Sequence, residues 1–95
     1  MNIRFYLDPE TGVPHIHRHD VDEDEVADAL ANPREDRPGR EESRVAIGQT
    51  RAGRYLRVIY VADPEPDSVF VITAYELRGK PLAAYRRRLR RRGKR

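Results

Sequence analysis

The chain has 95 residues, 38% hydrophobic and 37% charged, which suffices for one small domain and leaves no run of about 18 apolar residues to span a membrane. It contains no cysteine, so disulfides, thiolate catalysis and cysteine-ligated zinc are excluded and the cytoplasm is the expected compartment. The net charge of +3 divides into −7 over residues 1–43 and +10 over residues 44–95; either the halves neutralise each other across the fold, or the basic half serves a polyanion, nucleic acid first.

In chain order, Met1-Asn2-Ile3-Arg4-Phe5 has no charged-then-apolar leader, and Ile3 to Leu7 reads as a short strand closed by the turn cluster Asp8-Pro9-Glu10-Thr11-Gly12. His15-Ile16-His17-Arg18-His19 has histidines at period two. Without a spaced carboxylate or second His pair they read as solvated or turn histidines, so no metal is expected, and His19 stands beside the next helix as a candidate acid or base. That helix is marked by Asp22 at its N-cap with Glu25 three residues on, and by Val21 and Val26 placed as a hydrophobic staple. Val26, Ala29 and Leu30 form its buried stripe and Asn32-Pro33 ends it. Residues 34–43 are all polar or turn-forming and read as a loop.

Three strands follow, Arg44–Arg51, Arg54–Ala62 and Ser68–Tyr75. Tight hairpins would set Arg51 opposite Arg54 and Ala62 opposite Ser68. One face then gathers Val45, Ile47, Leu56, Val58, Tyr60, Phe70, Ile72 and Ala74 as the core. The open face gathers Ala46, Gly48, Thr50, Tyr55, Arg57, Ile59, Val69, Val71, Thr73 and Tyr75, with Gly48 leaving a depression beside Arg57. A bulge at Ala52-Gly53 would shift the first register by one. A last helix starts near Pro81 with Leu82, Tyr85 and Leu89 as its stripe, and Arg86–Arg95 has eight basic residues in ten. The domain is thus expected over residues 1–85, with 86–95 a basic helix end and tail that is either frayed and solvated or an aid to binding.

Arginine on an open face, flanked by phenols, suits phosphodiester chemistry, because its planar fork matches phosphate oxygens and tyrosine can stack on a base or relay a proton. Arg57, Tyr75 and His19 are therefore the candidate catalytic residues. Arg51, Arg54, Arg78 and Lys80 are candidate phosphate contacts, and Tyr55 and Tyr85 candidate base-stacking or supporting residues. No phosphate-cradling glycine loop, nucleophile elbow or dinucleotide fingerprint occurs, so no cofactor is expected.

Three stretches resemble the BrnT family of small bacterial type II toxins: Arg18-His19-Asp20-Val21 through Asn32-Pro33, Ala46-Ile47-Gly48 through Arg54-Tyr55-Leu56-Arg57-Val58-Ile59-Tyr60, and Val71-Ile72-Thr73-Ala74-Tyr75 leading to Tyr85. The resemblance implies an α+β, RelE-like fold: a small antiparallel sheet of about four strands with helices packed on one face. It also implies a metal-independent ribonuclease that cuts messenger RNA, neutralised by a ribbon-helix-helix antitoxin that carries any DNA contact. The family's Gly after the His is Asp20 here, its Ala-Arg pair is Ala74-Tyr75, and Pro81 stands where Glu is common. The alternative is a non-catalytic module of the same fold that binds nucleic acid or a protein partner.

Overall fold

The computed structural model describes residues 1–93. Its elements are β1 (Asn2–Phe5), a 3₁₀ helix (His15–His19), α1 (Glu23–Ala31), β2 (Glu35–Pro38), β3 (Arg44–Gln49), β4 (Tyr55–Ala62), β5 (Ser68–Glu76) and α2 (Gly79–Gly93). The strands form one five-stranded sheet in the order β1-β5-β4-β3-β2, with β1 parallel to β5 and the other pairs antiparallel. The α+β class stands, with a mixed five-stranded sheet in place of an antiparallel one of about four.

The start of α1 is built as its sequence requires. Asp22 Oδ1 accepts from the Glu25 N–H at 2.8 Å, and Glu25 Oε1 accepts from the Asp22 N–H at 3.1 Å. Val26, Ala29 and Leu30 then face the sheet, where they join Ile16, Val21, Ala46, Leu56, Val58, Tyr60, Val71 and Ala74 in the main core. Gly48 lies under this helix. A Cβ there would fall 2.2 Å from the carbonyl oxygen of Ala29, so only glycine permits the approach of α1 to β3.

The two helices pack on opposite faces. Ala46 belongs to the core under α1, whereas its neighbour Ile47 packs with Leu77 and Tyr85 under α2, and adjacent strand residues point to opposite sides. The expected arrangement of helices on one face is corrected accordingly.

The registers explain which face assignments changed. The β3–β4 connection is wider than a two-residue turn: Gln49 pairs with Tyr55, and Thr50 exchanges backbone hydrogen bonds with Arg54 and Gly53. That one-residue shift turns β3 over, sending Ala46 and Gly48 to the α1 core and Val45 and Ile47 to the other face. In β5 a bulge leaves Ile72 without a cross-strand partner, with Thr73 opposite Ile59 and Val71 opposite Tyr60. Val71 and Val69 therefore turn into the core, and the expected open-face pair Val69/Val71 does not exist. All expected faces in β4 hold, as do Thr73, Ala74 and Tyr75.

Two further expectations are revised. Residues 35–38 form edge strand β2 rather than loop, and Pro38 is tolerated there because an edge strand has donors to spare. The basic helix end expected from residue 86 is not frayed over its described length: it continues α2, whose Arg88 binds Glu35 through Nε and Nη2 at 2.8 and 3.0 Å while Arg92 Nη2 reaches it at 2.6 Å. The basic run is thus docked helix through Gly93. Lys94 and Arg95 of the expected tail lie outside the described residues.

Candidate functional site

Beyond Val71 the outer edge of β5 has no strand partner among the described residues, because β1 ends at Phe5. The chain leaves β1 through a Tyr6 N–H to Val71 O bond of 2.8 Å, turns over residues 8–13, and returns as the 3₁₀ helix beside that free edge. Ile16 anchors this helix in the core. Asp8 ties it from below: its carboxylate lies 2.9 Å from His15 Nδ1 and accepts from Arg18 Nε at 2.6 Å. The His15 ring, with help from the Arg18 guanidinium, holds the Asp8 carboxyl below the usual carboxylate range. Asp20 ends the helix in a left-handed conformation, φ 59°, with its N–H turned back to the carbonyls of His17 and Ile16.

These ties bring His19 edge-on to Tyr75, ring centroids 5.9 Å apart, with His15 a further 5.3 Å behind it. Arg18, His19, Asp20, Tyr75, Glu76 and Arg78 line a cleft of about 350 Å³. Tyr75 is directly cross-strand from Arg57. Two of the three expected catalytic residues thus meet in one cleft and the third stands next to it. Arg57 Nε and Thr73 Oγ1, on the same sheet face, are buried and have no hydrogen-bond partner among the described residues. A buried donor of this kind is costly unless a bound group completes it.

The expected phosphate contacts separate. Arg78 lines the cleft and donates to Glu76 at 3.0 Å, which is the main reason the Glu76 carboxyl titrates below its ordinary value. Lys80 is exposed at the start of α2. Arg51 lies on the far side, paired with Asp28 of α1 at 3.3 Å. Arg54 is committed elsewhere: it donates to Glu25 at 2.6 Å, to Glu76 at 3.3 Å and to the Asp20 carbonyl at 3.0 Å. It is a structural clamp between α1, the 3₁₀ helix and β5, and has no fork left for a phosphate.

The rings of Tyr55 and Tyr85 pack at a tilt of 52°, centroids 5.4 Å apart; Tyr85 is fully buried and cannot receive a base, and Tyr55 is half-buried against it. Of the two expected roles, support from within the fold is what this packing provides. The depression expected from Gly48 beside Arg57 is absent, since Gly48 faces α1 on the other side of the sheet.

Sequence reasoning missed Asp8 and Arg18. Asp8 sits in a turn cluster where Asp is explained by turn propensity alone. The available signal was the pair of basic residues seven and ten positions on. Among the described residues, no group of three or more acidic or histidine side chains is placed to hold a metal ion, and no helix is long and apolar enough to cross a membrane.

A family model described as a domain of unknown function (DUF4258) matches residues 14–76. No curated protein matches the chain, and no solved structure does.

Proposed function

The chain belongs to the DUF4258 family, whose match takes in the 3₁₀ helix, α1 and β2 through β5; from the geometry of the cleft we propose that it is a metal-independent endoribonuclease acting as the toxin of a type II toxin–antitoxin pair. The observation that carries this reading is the convergence of His19, Tyr75, Arg18 and Arg78 in one cleft, with Arg57 cross-strand from Tyr75. RNA brings its own nucleophile, the ribose 2′-hydroxyl. His19 takes its proton as the 2′ oxygen attacks the adjacent phosphorus. Arg57 balances the charge of the phosphorane, and the bond to the 5′ oxygen breaks as Tyr75 supplies that oxygen with a proton. The products are a 2′,3′-cyclic phosphate and a free 5′-hydroxyl. Arg78 and Arg18 hold flanking phosphates. The half-buried Ile59 and Val61, on the face that carries Arg57, suit coverage by an antitoxin segment of ribbon-helix-helix type.

Purified protein incubated with labelled messenger RNA and excess chelator tests the reading. Cleavage is expected to persist with chelator, and to fall about 100-fold or more in His19→Ala and in Arg57→Ala. Full cleavage by both variants would overturn the site.

A second reading, a binding module without catalysis, is favoured by the Asp20 carboxylate, which lines the same cleft and opposes the extra negative charge of a phosphorane there more than it opposes binding of a strand. Wild-type protein that retains RNA on a filter yet returns it intact would select this reading.

A further inference from the structure

The arginines of α2 fall into two sets with different fates. Arg88 and Arg92 turn inward, where they bind the Glu35 carboxylate and, through Arg92, the Arg34 carbonyl. Leu82 and Tyr85 pack beneath the helix with Ile47 and Leu77. Lys80, Arg86, Arg87, Arg90 and Arg91 remain, all exposed and none with an ion-pair or hydrogen-bond partner among the described residues. At 100° per residue these five fan over the side of α2 opposite Tyr85, along about 16 Å of helix. We infer that this outward stripe is a docking surface for the phosphodiester backbone of a nucleic acid strand, apart from the cleft and independent of cleavage.

Three observations favour that occupant. Arg86 and Arg90, Arg87 and Arg91, and Arg87 and Arg90 are like-charge pairs at helical neighbour spacing, which destabilise the bare helix and are relieved by a polyanion. The favourable end of the helix dipole accounts only for the last turn. The stripe also has no apolar centre: Ala83 lies in its middle, over a shallow recess shared with Arg86, Arg87 and Arg90. A protein interface needs buried aliphatic or aromatic anchors and a membrane-surface helix needs an apolar face, but α2 turns Leu82 and Tyr85 to the sheet, and its one exposed large apolar side chain among the described residues, Leu89, lies four residues on from Tyr85, outside the stripe. Finally, the stripe starts two residues after Arg78, so the cleft's basic margin and the stripe are neighbours along the chain.

The test uses a labelled 20-nucleotide 2′-O-methyl RNA, which lacks the nucleophile, followed by anisotropy over a salt series, with duplex DNA of equal length in parallel. The five stripe contacts contribute about −3.5 to the slope of log K on log salt for the single strand and about −4.5 for the duplex, any cleft contacts adding to this, and whichever probe binds tighter identifies the preferred strand form. Arg86→Gln/Arg90→Gln should flatten the single-strand slope by about 1.4. Arg40→Gln/Arg51→Gln, which removes the same charge from exposed loop positions without touching α2, should leave the slope unchanged. Equal flattening by both double variants would overturn the inference, as would polyglutamate binding as tightly as the RNA. Because this probe cannot be cut, failure of the nuclease reading leaves the result interpretable.

Discussion

Arg54 and Arg51 stand three residues apart in one hairpin connection, and their surroundings give them opposite weight. The Arg54 side chain is 24% exposed and joins Glu25, Glu76 and the Asp20 carbonyl, and the nearby Glu25 carboxylate is the main cause of its raised pKa. Removing it takes the only cationic partner from the half-buried Glu25 among the described residues and leaves Glu76 with Arg78 alone. Arg51 is 93% exposed on a single salt bridge that water screens. Arg54→Gln is expected to cost about 2 kcal/mol, and Arg51→Gln less than about 0.5 kcal/mol, in urea unfolding monitored by circular dichroism. Equal losses would show that Arg54 does not clamp the three elements. From the sequence the two arginines look alike. What separates them is Glu25 and Glu76, which lie 29 and 22 positions away and reach Arg54 only after the sheet has formed.

At the scale of elements, legibility followed local chemistry. The helix α1 was readable because its cap, staple and apolar stripe lie within ten residues, and β4 because its alternation is unbroken. The strand β2 was not, because an edge strand of sequence Glu-Asp-Arg-Pro has no apolar alternation and is held by its ladder to β3 and by α2. That coupling carries a pH dependence. Glu35 is held below its ordinary value of 4.5, first by its hydrogen bonds to Arg88 and then by the charges of Arg88 and Arg92. A depressed carboxylate contributes its full stability above the unfolded value, and loses it as pH falls through the lower folded value. Glu35→Gln should therefore be less stable than wild type at pH 6, and the gap should close on acidification below about 4.5. Parallel urea titrations from pH 6 to pH 3 measure it, and a gap that stays constant would remove Glu35 as the linked group.

For the whole molecule, the charge division of the sequence becomes a division in space. The acidic first turn of α1 lies on one face of the sheet and the exposed arginines of α2 on the other. A helix with its side chains is about 10–12 Å across, and a whole sheet separates the two, so at physiological salt each surface acts largely without the other. Neutralisation across the fold is confined to bridges such as Arg54–Glu25 and Arg88–Glu35. The cores are equally unequal. Most buried side chains, from Ile16 to Ala74, lie under α1 and the 3₁₀ helix, whereas α2 rests through its own Tyr85 and Leu82 on Ile47, Leu77 and Tyr55. Less buried apolar area means a lower free energy of local opening, so α2 should open before the centre of the sheet. The edge strand β2 should open with it, since Glu35 joins them and β2 brings no residue to either core. Native-state amide exchange is expected to show α2 and β2 exchanging as one unit, faster than β4, β5 and α1. Glu35→Gln should speed both together by about tenfold, the equivalent of about 1.4 kcal/mol, and leave α1 unchanged. Exchange of β2 at the rate of β4, or a response confined to α2, would show that the salt bridges fasten the helix without coupling it to the strand.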